Sequence, residues 1–123
     1  YVLSLSWSPN WCALEGDSRN SPQCDADADF GWVLHGLWPQ FETGWPTDCR
    51  HTFRNPSRAE TTAMADIMGT SGLAWYQWNK HGSCSGLSPD DYFALARLAF
   101  ERITRPEVFR RLEDPITLPA SLV

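Results

Sequence analysis

Four cysteines, Cys12, Cys24, Cys49 and Cys84, constrain this chain more than any other feature of its sequence. The set is even, it contains no CxxC pair, and three pairings are possible. Such a set favours structural disulfides, and therefore an oxidising compartment, secreted or periplasmic. Two alternatives stay open on spacing alone. One is four buried free thiols in a cytosolic protein. The other is a zinc site using His81 and Cys84, for which no second close pair of ligands is present. At 123 residues the chain is long enough for a single domain, residues 1–123, with a modest core. Its mean hydropathy of −0.38 fits a soluble globular protein. No apolar run approaches the ~18–20 residues of a membrane span, so no membrane partner is expected. A net charge of −5 argues against a protein that coats DNA, which would carry a basic surface.

The order of local signals predicts an α+β fold. Residues 1–8 alternate, with Tyr1, Leu3, Leu5 and Trp7 on one face, and Pro9 and Asn10 end this strand. Residues 13–29 are polar and acidic and read as a loop or a disulfide-clipped excursion. Phe30 to Trp38 is rich in aromatics and Val, as a central strand would be, and Pro39 stops it. Residues 40–55 form a long loop. Ser57 and Glu60 then make a capping box, with Ala63, Met64, Ile67 and Met68 behind it and Gly69 as the stop. Ser71 is the expected cap of a second helix that ends at Gly82. Ser88-Pro89-Asp90-Asp91 opens a third, whose apolar stripe is Phe93, Ala96, Phe100 and Ile103. Pro106 to Leu112 predicts a further turn or two of helix, and Pro115 to Val123 the start of another strand.

Two segments carry candidate chemistry. In FGWVLHGLWPQ, His35 lies near the end of a central strand, where packing would hold it firmly. Rigid placement is what proton transfer requires. The same position suits a core histidine bonded to a backbone carbonyl. In LAWYQWNKHGSC, helical spacing brings Tyr76, Gln77, Lys80 and His81 into one polar cluster, while Leu73, Trp75 and Trp78 pack away from it. An imidazole, an ammonium and an amide so placed could bind a phosphate. Of the ten basic residues Lys80 alone is a lysine. His51, beside Arg50 in a polar loop, reads as a solvated side chain. Trp7, Trp11, Trp75 and Trp78 read as core or scaffold.

The motifs HGLWP and WxKHGxC, in this order and about 40 residues apart, resemble the two active-site signatures of the T2-type ribonucleases. The opening YVLSLSWSPNWC is similar to that family's first strand, and the resemblance covers roughly residues 1–112. It implies a central, mainly antiparallel sheet with helices packed on it. It implies an endoribonuclease that cleaves single-stranded RNA, needs no metal or other cofactor, and does not act on DNA. Residue by residue, it implies that His35 and His81 exchange protons and that Lys80 stabilises charge on phosphorus. Trp38 would stack on a base. Phe41 and Trp45, in the loop after it, are candidates for a second base contact. The pairings Cys12–Cys24 and Cys49–Cys84 are likewise what the resemblance implies. Three positions depart from the family's pattern. Many members have a histidine at Tyr76 and a glutamate at Gln77, and some have an aspartate at Gln40 that reads the base.

The implied reaction is a transesterification through a 2′,3′-cyclic phosphate, with His81 as base and His35 as acid. In the family the sheet gains strands after the helices that follow the second motif. Residues 1–123 are therefore expected to be a fragment, truncated or completed by a second polypeptide that carries the rest of the sheet; the alternative is a naturally short member whose helices cover the sheet edge.

Overall fold

A computed structural model describes residues 1–109, 112 and 116–122. Two strands, β1 (Val2–Trp7) and β2 (Trp32–Trp38), pair antiparallel. Their register runs from Val2 opposite Trp38 to Trp7 opposite Trp32. It slips once. Ser4 faces Gly36 and Leu5 faces Leu34, so His35 has no partner residue across the ladder. A one-residue bulge of this kind reverses the alternation of side chains beyond it. Leu34 and Leu37, three apart, therefore both reach the core. Strict alternation would have sent them to opposite faces.

The expected loop or disulfide-clipped excursion after β1 is a disulfide-clipped one, built of a chain of helical turns. Pro9, in the first turn of α1 (Ser8–Trp11), starts it, because its fixed φ and missing amide suit that position. A π turn over Cys12–Gly16 and 3₁₀ turns at Asp17–Arg19 and Pro22–Cys24 continue it. The Cys12–Cys24 disulfide closes the excursion, and buried Gln23 donates to Ser8 Oγ at 2.8 Å. These turns carry no apolar periodicity, which is why the sequence reads as a loop there.

The expected helix over 57–69 is broken into α2 (Arg58–Ala63) and α3 (Ala65–Met68). The capping box is complete, with Ser57 accepting from the Glu60 amide and Glu60 from the Ser57 amide. The break at Met64 has two causes. Thr61 Oγ1 bonds back to the Ser57 and Arg58 carbonyls, which bends a helix. The Ala63 carbonyl, which a continuous helix would spend on Ile67, accepts from Arg97 at 2.7 Å instead. Gly69 stops α3 with φ of +81°. Helix α4 (Ser71–Lys80) is capped by Thr70, not by Ser71: the Thr70 hydroxyl accepts from the Leu73 amide. Helix α5 (Pro89–Arg102) starts on Ser88 as expected. It buries Tyr92, Phe93, Ala96 and Phe100, but Ile103 lies past its end in extended backbone and is exposed.

The core joins Leu34 and Leu37 of β2 to Met64, Met68, Ala74, Trp78 and the α5 face. Tyr92 donates its hydroxyl to the Leu37 carbonyl at 2.8 Å, bracing β2 from α5. Beyond α5 the expected helical turn is a 3₁₀ turn at Glu107–Phe109, whose Phe109 ring packs on Trp7 and Trp32. The strand expected over 115–123 is not formed in its described part. Residues 116–119 are irregular, and Ala120–Leu122 is a single 3₁₀ turn. Pro119 lacks the amide a ladder would use. Residues 110, 111, 113–115 and 123 lie outside the described residues. No described helix is long and apolar enough to cross a membrane.

Gly82, directly after the second motif's histidine, sits where backbone meets rigid core. A Cβ there would approach Trp78 Cε3 at 2.6 Å and the Tyr92 ring at 2.9 Å. Both rings are fully buried and cannot retreat. Gly82→Ala is expected to destabilise the fold by about 1–3 kcal/mol through overpacking. A urea unfolding midpoint equal to that of the parent would contradict this.

Candidate active site

The bulge in β2 and the C-terminal end of α4 meet at a cleft of about 460 Å³. His35 and Trp38 enter it from β2, Val2 from β1, Gln40 and Trp45 from the following loop. Tyr76, Gln77, Lys80 and His81 enter from α4. The two sequence motifs are thus brought together. Phe41 does not line the cleft and stands 63 % exposed, whereas Trp45, 65 % exposed, forms part of its rim.

The helical cluster forms, but it divides by depth. Gln77 is 1 % and His81 6 % exposed, while Tyr76 and Lys80 stay at the rim. Lys80 Nζ donates to the Tyr76 hydroxyl at 3.1 Å, one turn apart. The inward face of α4 is Ala74, Gln77 and Trp78. Trp75 falls outside it and is 43 % exposed, so it is not the core residue expected from its neighbours.

Trp38 connects the two histidines. Its ring stacks on His81 at 5.1 Å and meets His35 edge-on at 5.9 Å. Its Nε1 donates to Gln77 Oε1 at 2.8 Å. One face of Trp38 is therefore already taken by an imidazole. A side chain on Gly36 would collide with both Gln77 Oε1 and Trp38 Nε1, so the close approach of strand and helix needs glycine there. Gln40 spends its amide nitrogen on the backbone carbonyls of Pro39 and Trp38, at 3.0 and 3.3 Å.

Both histidines have their pKa lowered. For His35 the main cause is burial, followed by repulsion from Lys80. For His81 it is again burial, then Lys80, with a smaller contribution from His35; the Asp48 carboxylate opposes these. The neutral imidazoles thus persist to lower pH than in a free histidine. His35 Nδ1 lies 3.3 Å from Ser6 Oγ of β1. His81 Nδ1 is buried with no hydrogen-bond partner among the described residues.

Sequence reasoning missed Val2, Ser6 and Asp48. For the first two the available signal was β1 itself, since an antiparallel partner of the HGLWP strand must border the same site. For Asp48 it was adjacency to Cys49. The Asp48 amide bonds the Lys80 carbonyl at 2.9 Å, next to the Cys49–Cys84 disulfide. That disulfide also explains His51, which is half-buried rather than the fully solvated side chain expected. The loop is drawn onto α4, and the His51 ring packs edge-on against Trp78 at 5.4 Å. The zinc alternative loses its thiolate, because Cys84 is bonded to Cys49.

Comparison with known proteins finds relatives of the chain. Residues 1–116 match the ribonuclease T2 family. A ribonuclease of Aeromonas hydrophila is 40 % identical over 121 residues, covering 98 % of this chain and 49 % of its own length. A probable ribonuclease of Haemophilus influenzae is 32 % identical over 118 residues, covering 86 % of this chain and 43 % of its own. The chain spans about half the length of the curated relatives it matches. In fold it is similar to the self-incompatibility associated SF11-RNase of Nicotiana alata, with a TM-score of 0.57 at 21 % identity. That likeness covers 82 % of this chain and 56 % of the other.

Proposed function

The chain belongs to the ribonuclease T2 family, and from that premise we propose that it is the catalytic portion of a metal-independent endoribonuclease acting on single-stranded RNA. The observation that carries this reading is one cleft lined by His35, Lys80 and His81, with Trp38 packed against both imidazoles.

His81 takes the proton of the ribose 2′-hydroxyl. The 2′-oxygen then attacks the adjacent phosphorus, a new P–O2′ bond forms, and the P–O5′ bond breaks. His35 gives a proton to the departing 5′-oxygen. The nucleophile lies within the substrate, so no metal is needed to generate it, and DNA, lacking that hydroxyl, does not react. Lys80 offsets the charge that develops on the phosphoryl oxygens. Tyr76, held by Lys80 at 3.1 Å, offers its hydroxyl to the phosphate. Gln77 keeps Trp38 in place by accepting from its Nε1. A base is met by the free face of Trp38, by Trp45 and by Gln40. Phe41, which does not line the cleft, is left out of that contact. The two disulfides support a secreted or periplasmic setting.

The test is digestion of RNA in EDTA with analysis of the product ends. Cleavage that resists the chelator and yields 2′,3′-cyclic phosphate termini is expected. Chelator-sensitive cleavage, or 5′-phosphate products, would overturn the reading.

Gln77→Glu probes the electrostatics. A carboxylate at position 77 still accepts from Trp38 Nε1 and adds negative charge one turn from His81. That favours the imidazolium and raises the His81 pKa. With His81 as the base, the acid limb of the pH–rate profile should move to higher pH, with activity at its maximum preserved or raised. Loss of most activity in a folded variant would mean that the site needs the amide itself.

A further inference from the structure

We propose that Ser6 is a positioning residue for His35: its hydroxyl oxygen accepts a hydrogen bond from Nδ1–H and thereby leaves Nε2 as the nitrogen that exchanges protons in the cleft. This rests on the proton-transfer role proposed above for His35.

The need for such a residue follows from the bulge. His35 is the residue that the β1–β2 register skips, between the Ser4–Gly36 and Leu5–Leu34 pairs. A bulge re-aims its extra side chain but does not hold it in one orientation. Trp38 touches the ring only edge-on. Of the described polar groups, Ser6 Oγ, 3.3 Å from Nδ1, is the one that hydrogen-bonds the imidazole. Ser6 sits on β1 opposite Val33, next along the strand from Leu5, so its place is set by the sheet and not by a loop.

The chemistry selects the direction of this bond. During turnover Nε2 gains and loses a proton, whereas Nδ1 must stay protonated throughout. A hydroxyl oxygen can accept from Nδ1–H in both the neutral and the cationic ring. A carboxylate in that place would do the same and also favour the imidazolium. Serine fixes the tautomer without adding charge, and the ring keeps the character that burial and Lys80 give it.

The experiment compares the intact protein with Ser6→Ala and Ser6→Thr. Long-range ¹⁵N–¹H correlation spectra read which nitrogen of His35 carries the proton, independently of any activity. The parent should show Nδ1–H. Ser6→Ala should shift the population toward Nε2–H and move the His35 titration to lower pH, and Ser6→Thr should restore both. RNA cleavage by Ser6→Ala should fall about 3- to 10-fold in kcat with KM unchanged, the scale of one neutral hydrogen bond, and should recover in Ser6→Thr. An unchanged tautomer in Ser6→Ala, or a full rate without the hydroxyl, would overturn the proposal. A parent that shows the Ser6-dependent tautomer yet cleaves no RNA would overturn the ribonuclease reading instead.

Discussion

His35→Ala and His81→Ala are each expected to lower RNA cleavage by about 10²–10⁴-fold, the usual contribution of a proton-transfer group. The two differ in what else they disturb. His35 projects from a bulge and contacts Trp38 only by its edge, so its removal should leave the unfolding midpoint nearly unchanged. His81 is buried and stacked on Trp38, and alanine there leaves a void beside the indole. Its unfolding midpoint should fall measurably, and His81→Asn, which keeps more volume, should recover stability without recovering turnover. The double variant should be little worse than either single one, because an acid and a base serving one step do not contribute independently. Turnover near the parent's in either single variant, with RNA as substrate, would remove the mechanism.

Which parts of this site could be read from the chain depends on the range of the forces that set them. The capping box at Ser57 and Glu60 and the Ser88 start of α5 are fixed by residues three apart, and both form as the sequence predicts. The grouping of Gln77, Lys80 and His81 follows from helical spacing, and all three line the cleft. What escaped prediction is set from a distance. The break at Met64 is completed by Arg97, some thirty residues on in sequence, which takes the Ala63 carbonyl. The bulge at His35 is a property of the β1–β2 pair, and nothing in FGWVLHGLW by itself shows that one residue will be skipped. Trp75 and His51 exchange their expected places for the same kind of reason. Trp75 is apolar but lies off the buried face of α4, whereas polar His51 is pressed onto Trp78 by a crosslinked loop. The departures at Tyr76 and Gln77 are legible as sequence, yet their consequence is not. Only the packing shows that Gln77 is buried and tied to Trp38 while Tyr76 stands at the rim.

Loss of the Cys49–Cys84 disulfide is expected to have the largest effect on stability. The bond joins residues 35 apart, and the chain-entropy relation for such a loop gives about 4 kcal/mol, against roughly 3 kcal/mol for the 12-residue separation of Cys12 and Cys24. Its removal should also reach the chemistry, because it pins the loop that follows the first motif to the end of the second. Gln40 and Trp45 precede Cys49 in that loop and line the cleft. Asp48, whose charge opposes the depression of the His81 pKa, is the residue next to the bond. Two weaker ties would remain, the Asp48 amide on the Lys80 carbonyl at 2.9 Å and the Cys49 amide on Ser83 Oγ at 3.2 Å. These lie at the surface or partly buried, and each contributes only about 0.5–1.5 kcal/mol. The paired variant Cys49→Ser with Cys84→Ser should therefore unfold at a much lower denaturant concentration and lose kcat/KM even where it is folded. The corresponding Cys12→Ser, Cys24→Ser variant should lose stability while keeping its rate, since no residue of the excursion that this bond closes lines the cleft. Equal rates in the two paired variants under folding conditions would show that the loop keeps its place without the bond, and that Asp48 and Trp45 are positioned by packing alone.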